Sequence, residues 1–250
     1  MNQDKYVHGM DWADTDFSLS ILSNYRKYQY SLISKYIGKI ILEVGSGDRG
    51  FTYLLAKSSN NFEKILSIEP SQILFSSYNN KYSFPDNVKF QEIDLFDLHV
   101  DNSVCFDTII FIHVLEHIEK DREALYKAYE LLQPNGYVLI EVPALQFLFS
   151  PHDKLLGHYR RYTKRTLKAI IDPDKFVIED IWYQDPLGIL GSLYYFKFKK
   201  IELKSEIGLD LVKNQGKIYD KYLVPLQSFI GKYIRLPFGL NLTAVLKKVA

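Results

Sequence analysis

The stretch Ile40-Ile-Leu-Glu-Val-Gly-Ser-Gly-Asp-Arg-Gly-Phe-Thr52 decides how this chain is read. Residues 40–42 and Val44 read as a short buried strand. Gly45, Gly47 and Gly50 follow, and the apolar run 51–56 opens a helix. Strand, glycine turn and helix is the order by which an open α/β sheet holds a nucleotide-like ligand. Glycine is needed there because a Cβ would block the ligand's approach and forbid the required backbone angles. Glu43 stands at the end of the strand. An acid at that point repels a pyrophosphate, so a cationic or zwitterionic ligand is expected. A glycine triplet of this kind also occurs as a plain tight turn, and partners further along the chain decide between the two.

Hydrophobic residues make up 47% of the 250, enough for a large core, and the length suits one domain with an insertion. A net charge of +1 gives no bias toward a polyanion, so no nucleic-acid partner is expected. A single cysteine, Cys105, rules out an intramolecular disulfide and fits a reducing, cytoplasmic setting. The first sixteen residues are polar and carry acids, unlike a signal peptide. No run approaches the ~18 uninterrupted apolar residues of a membrane span. No group of His, Cys, Asp and Glu has the spacing of a metal site, so no metal is expected.

Along the chain, residues 1–20 read as an arm, either flexible or ordered over a ligand. Ile21, Tyr25, Tyr28, Leu32 and Tyr36 keep helical spacing up to Gly38, with Tyr25 and Tyr28 turned to the core. Residues 64–69 form a second strand ending in Glu69, placed to bind both hydroxyls of a ribose. Residues 71–79 read as a helix and 88–93 as a strand running into Asp94. Asp94 reads either as an acceptor for an exocyclic amine or as a turn aspartate. Residues 106–112 are nearly all apolar, as a strand covered on both faces should be. Asp121 is placed to cap a helix with Ala124, Leu125, Ala128, Leu131 and Leu132 on its apolar face.

Pro134-Asn-Gly136 turns the chain into a fifth strand over 137–142. Five β/α alternations predict a doubly wound parallel sheet. Thr163 caps a helix through Ile171, 176–183 reads as a sixth strand, and 240–249 as a seventh. Residues 186–237 form an insertion between the last two. In it Ile218, Tyr222, Leu226, Phe229 and Tyr233 keep helical spacing around Pro225, where the helix must kink or restart. Residues 187–250 carry eleven Lys and Arg against four Asp and Glu, a net +7 that leaves −6 elsewhere. This stretch reads as a packed helix pair, as a lid over the site, or as a peripheral membrane surface.

Taken together these residues resemble the class I S-adenosylmethionine-dependent methyltransferases. Leu42-Glu-Val-Gly-Ser-Gly-Asp-Arg-Gly-Phe-Thr52 resembles the family's first motif, Ser67-Ile-Glu-Pro70 its ribose-binding acid, and Glu92-Ile-Asp94 its adenine-contacting acid. Residues 106–118, ending in Val-Leu-Glu-His-Ile, and Leu131-Leu-Gln-Pro-Asn-Gly136 resemble its fourth and fifth strands. Val142-Pro-Ala, Ser150-Pro-His-Asp153, Gly157-His-Tyr-Arg-Arg-Tyr-Thr163 and Leu236-Pro-Phe-Gly-Leu-Asn-Leu242 resemble one bacterial subgroup of methyltransferase-domain proteins. Three residues depart from the subgroup: Arg49 replaces a glycine, Asn135 replaces the first glycine of its turn, and His113 stands where asparagine is common.

The resemblance implies an α/β, Rossmann-like methyltransferase fold. Its doubly wound sheet has seven strands, mostly parallel, in the order 3-2-1-4-5-7-6, with a helical insertion before the last strand. It implies one methyltransferase domain over 1–250. Within it lie an arm and helix at 1–38, a cofactor-binding core at 39–185, the insertion or lid at 186–237, and the last strand at 238–250. S-adenosylmethionine is the implied cofactor. Its contacts are Glu43, Gly45, Ser46, Gly47, Glu69, Pro70, Asp94, Leu95 and His113. On the acceptor side stand His117, His152, Tyr159, Arg160 and Arg161, with His158 as candidate base.

His158 reads equally as a residue that orients the loop. Arg160 and Arg161 read either as a clamp on a carboxylate or phosphate of the acceptor, or one of them as a partner of Asp153 that shapes the loop. The implied function is methyl transfer to a small-molecule acceptor, with O-methylation of a natural product, sugar or lipid-linked compound expected. The implied assembly is a monomer or homodimer. Two rival readings remain. One is a catalytically silent partner subunit, suggested by Arg49. The other is a nicotinamide-dependent oxidoreductase, against which Asp94 and Val114-Leu-Glu-His-Ile118 speak.

Overall fold

The computed structural model describes residues 23–58, 62–100, 105–194, 216–231 and 233–249. The arm at 1–20, Ile21 and residues 195–215 of the insertion lie outside them. Seven strands form one sheet: β1 (Ile40–Val44), β2 (Lys64–Ile68), β3 (Val88–Gln91), β4 (Phe106–Ile112), β5 (Leu132–Pro143), β6 (Phe176–Gln184) and β7 (Asn241–Lys248). Their order is β3-β2-β1-β4-β5-β7-β6. The first five strands pair in parallel, and β7 runs antiparallel to β5 and β6. The doubly wound sheet expected from the sequence is therefore the one observed.

The core lies on both faces of the sheet, as the nearly continuous apolar runs of its central strands require. Alternation along β1 sends Ile41 to one face and Leu42 to the other. Leu42 packs with Ala124, Leu125, Ala128 and Leu131 of α4 (Asp121–Leu131). Ile41 packs with Ile33 of α1 (Ser23–Ile33) and with Phe51 and Leu55 of α2 (Gly50–Ser58). Between these helices in the chain comes α3 (Gln72–Ser77), capped by the Ser71 side chain on Leu74 N at 3.1 Å.

Parallel register sets the site. Val44 stands beside Ile68 on one side and Phe111 on the other, so the carboxyl ends of β1, β2 and β4 are level. The residues that follow them, Gly45, Glu69 and His113, are brought together at that edge.

Two local expectations are corrected. Asp121 is not the cap of α4; Lys120 holds that position, and Asp121 lies inside the first turn with both oxygens engaged. Pro134-Asn-Gly136 does not precede β5 but bulges within it, because the pairing jumps from Phe106↔Leu132 to Thr108↔Tyr137. At Pro225, where a kink or restart is expected, the helix is irregular: a π turn at Tyr219–Leu223 runs directly into a helix at Val224–Gly231. Two short helices, α5 (Pro151–Leu155) and α6 (Lys164–Ile170), flank the Gly157–Thr163 loop, with Thr163 capping the second as expected. A further short helix, Gly188–Gly191, opens the insertion.

The insertion also serves α1. Asp220 accepts hydrogen bonds from Asn24 N (3.2 Å) and Tyr25 N (2.8 Å), two of the amides that a helix start leaves without an internal partner. A carboxylate there also opposes the positive end of the helix dipole.

Candidate functional site

A cavity of about 680 Å³ opens along the level strand ends. One end is walled by the glycine turn, by Glu69, Pro70 and Leu74, and by Asp94, Leu95 and Phe96. The other is walled by His113, Val114, His117, Ile118, Glu119 and Lys120 and by Lys154, Gly157, His158 and Tyr159.

The glycine turn is left-handed at Gly45 (φ +75°) and Gly47 (φ +47°). A Cβ on Gly45 would stand 2.5 Å from Val114, so only glycine closes the turn against the β4 loop. A Cβ on Gly47 would meet no atom within 4 Å. It would project into open space at a backbone angle that L side chains rarely adopt. Glu69, only 4% exposed, fastens the turn: Oε2 accepts from Gly47 N at 2.8 Å and Oε1 from Ser71 N at 3.0 Å. Asp94 Oδ1 accepts from Phe96 N at 3.0 Å, which fixes its carboxylate at the cavity wall. Open glycine edge, buried acid and second acid together fit the nucleoside of S-adenosylmethionine. In the same turn Ser46 is buried and its Oγ has no hydrogen-bond partner among the described residues.

The three departures from the subgroup fall at one kind of backbone. Arg49 (φ +61°), His113 (φ +54°) and Asn135 (φ +63°) are all left-handed, the conformation that glycine and asparagine take most readily. Arg49 holds it by packing away from the cavity. Its guanidinium lies over Phe90 (4.1 Å) and Phe75 (5.1 Å) and donates to Phe75 O and Asn79.

Glu43 is not on the cavity wall. It lies beneath the turn and accepts from Thr52 Oγ1 and Ser67 Oγ. Burial raises its pKa to about 7, against the opposing pull of those two hydroxyls. The fold keeps a proton that the unfolded carboxyl releases near pH 4.5. Its stabilising contribution is full below pH ~4.5 and is lost as pH rises through about 7. Glu43→Gln keeps an acceptor and has no charge to bury. It should gain stability relative to the parent on going from pH 5 to pH 8, by about 3 kcal/mol at 1.36 kcal/mol per pKa unit. Thermal midpoints of both proteins across that range would show it; parallel pH profiles would refute it.

On the acceptor side Asp153 is the hub. It is fully buried, and Oδ1 accepts from Arg161 Nε at 2.7 Å and from His158 Nδ1 at 3.1 Å. Oδ2 accepts from Ser150 N and Ser150 Oγ, forming the capping box of α5. Burial alone would raise its pKa. The bonds from His158, Arg161 and Ser150 hold it well below the usual carboxylate range. His158 thereby presents Nε2 at the cavity, with its ring edge-to-face on His117 at a centroid distance of 4.6 Å. Burial lowers His117 to about 4, so that ring is neutral at pH 7. His113 lies between two buried carboxylates, with Nε2 3.2 Å from Glu141 and Nδ1 3.4 Å from Glu116. Burial opposes its charge, but the two acids prevail and raise its pKa.

Of the residues expected at the site, Gly45, Gly47, Glu69, Pro70, Asp94, Leu95, His113, His117, His158 and Tyr159 line the cavity. His152 does not; it is pressed behind the loop, where burial lowers it to about 4. Arg160 and Arg161 are not on the wall either. Arg160 donates to Ile118 O, Glu119 O and Asp121 Oδ2, and Arg161 to Asp153, so both shape the loop. The sequence reading missed Lys120 and Lys154 on the wall, whose spacing gave no signal. It also missed Tyr162, 1% exposed, whose hydroxyl donates to Asp121 Oδ2 at 2.9 Å and locks the loop to α4. Finally, it found no metal-ligand spacing, yet the fold gathers Glu116, His117 and His158 within 4.8 Å of one another.

Comparison with curated proteins gives no match. Among solved structures, a chain of the complex between the Haloferax volcanii Trm112 methyltransferase activator and a methyltransferase aligns with TM-score 0.66 at 13% identity. The alignment covers 98% of this chain and 97% of that one. The plantazolicin methyltransferase BpumL, solved with a desmethyl-plantazolicin analogue and S-adenosylhomocysteine, aligns at 0.57 and 14%, covering 98% and 96%. The N-methyltransferase NodS from Bradyrhizobium japonicum aligns at 0.52 and 15%, covering 72% and 89%. At such identities the likeness is one of fold. The methyltransferase-domain family model, by contrast, matches the sequence itself over residues 26–184, from α1 to the end of β6. On that match the chain belongs to the methyltransferase-domain family, and it is an S-adenosylmethionine-dependent methyltransferase.

Proposed function

We propose that the chain methylates an oxygen of a small-molecule acceptor, a natural product, sugar or lipid-linked compound. The observation that carries this reading is the continuity of one cavity from Glu69 and Asp94 to His158. When bound, S-adenosylmethionine supplies an electrophilic methyl group on sulfur. Glu69 accepts from the ribose hydroxyls and Asp94 from the adenine amine. His158 Nε2 takes the proton of the acceptor hydroxyl, and Asp153 holds the ring in the tautomer that can do so. A volume of about 680 Å³ accommodates the cofactor and a compact acceptor, which favours small molecules over macromolecules.

Glu69→Ala leaves ribose hydroxyls without a charged acceptor. At roughly 1.5–3 kcal/mol for such a bond, S-adenosylhomocysteine affinity should fall about tenfold or more. Unchanged affinity by titration calorimetry would refute the cofactor assignment. The acceptor class is tested by screening hydroxylated and amine-bearing compounds for S-adenosylhomocysteine release. Turnover confined to amines would refute O-methylation.

A second reading, partner-dependent activity, is favoured by the insertion. Tyr222, Leu226, Phe229 and Tyr233 are all exposed, and no described residue of the insertion lines the cavity. A lid is thus less well supported than a docking surface for a protein or lipid. The Haloferax neighbour is a methyltransferase structure solved with an activator. Turnover by the isolated chain at full rate without lipid would exclude this reading.

A further inference from the structure

We propose that Glu116, His117 and His158 bind one divalent transition-metal ion, Zn²⁺ by their donor set. Each contributes a donor atom, and the three atoms lie within 4.8 Å of one another. Bonds of about 2.0–2.2 Å from each donor to a common ion then need only small side-chain rotations. Two imidazoles and one carboxylate form the donor set of open, catalytic zinc sites, which leave a position for water or substrate. That open position faces the cavity, because His117 and His158 line it.

Glu116 supplies the independent observation. It is fully buried, and neither carboxylate oxygen has a hydrogen-bond partner among the described residues. An acid so placed is costly unless a charge answers it. His113 Nδ1, 3.4 Å from Oε1, answers one side and leaves Oε2 for an ion. The supporting contacts are those that metal sites use. His158 Nδ1 is held by the buried Asp153, which leaves Nε2 as the ligating atom in a carboxylate–histidine–metal arrangement. Asp153 is in turn fixed by Arg161 and Ser150. Backbone geometry brings the two halves together. Tyr159 N donates to Glu116 O at 2.9 Å. At Gly157 (φ +78°) a Cβ would have only His117 Nδ1 near it, at 3.8 Å, so the loop passes close to that ring.

The site occupies the corner where the proposed function puts acceptor activation. The ion's role rests on that reading, but its binding does not. Nε2 of His158 cannot be a ligand and the base at once; with the ion bound, the metal would lower the pKa of the acceptor hydroxyl, which would release its proton to water.

The test uses the full chain, tag-free, stripped with EDTA and dialysed. It is titrated with Co²⁺, read by visible absorption, and then with Zn²⁺ in competition. One ion per chain is expected, with the intense absorption of four- or five-coordinate cobalt. Loss of an outer partner weakens metal sites by about 10–100-fold, so His117→Ala and His158→Ala should weaken binding by about 100-fold or more. Glu116→Gln should do the same. If it fails to fold by circular dichroism, the two histidine variants on the cavity wall carry the test. His99→Ala, exposed and not on the cavity wall, should bind as the parent does. Absence of stoichiometric Co²⁺ binding, or equal binding by His117→Ala and His158→Ala, overturns the proposal. Metal binding with no S-adenosylhomocysteine release from any acceptor would keep the site and refute the methylation reading. Release that persists in EDTA with no bound ion would refute the ion's role in the reaction and leave His158 as the base.

Discussion

Asp153→Ala should destabilise the chain by about 3–5 kcal/mol, the cost of breaking a buried ion pair by removing one partner. The variant leaves the Arg161 guanidinium, 8% exposed, with its Nε unpaired, and it strips the capping box from α5. It also frees the His158 ring from the carboxylate that holds it. Because the folded pKa of Asp153 is depressed, its stabilising contribution is present above the unfolded value near pH 3.9. That contribution is lost as pH falls below it. Urea denaturation at pH 7 and pH 3 checks both parts. The parent should exceed the variant by several kcal/mol at pH 7, and the gap should narrow in acid. A gap under 1 kcal/mol at pH 7 would mean that the buried pair does not hold in solution.

His158→Ala should lower kcat by about 100-fold or more, the usual cost of losing a general base, while S-adenosylhomocysteine affinity stays close to the parent's. The separation follows from the cavity's layout. Glu69 and Asp94 lie at one end, and His158 on the wall at the other. Steady-state turnover and calorimetry on one preparation decide it. Full turnover by the variant would remove His158 from the chemistry. A parallel loss of cofactor affinity would instead assign it to the cofactor end.

Much of this was legible in the sequence, and the physical reasons differ from element to element. Phe106–Ile112 has the same bounds in sequence and structure, because a strand buried on both faces is apolar at nearly every position. The turn after β1 was legible because its backbone admits little but glycine. The same logic explains the three departures: the substitutions at Arg49, His113 and Asn135 left the backbone angle in place, so the residue type misled while the geometry persisted. Arginine roles were not legible. Arg160 finds Asp121 across 39 residues of sequence, and only the folded loop shows that its donors point inward. The Glu116, His117 and His158 group was invisible for the same reason. Its two halves sit on either side of β5, and no spacing rule spans a strand, two helices and a loop.

The bond from Asp220 to the start of α1 joins residues 196 positions apart. On the ribosome those two amides emerge first and their acceptor almost last. At ~5–20 residues per second the delay is on the order of 10–40 s. Throughout that interval Asn24 N and Tyr25 N lack their carboxylate acceptor. All six strands from β1 to β6 are made before Asp220, so this contact at the start of α1 forms after most of the sheet has been synthesised.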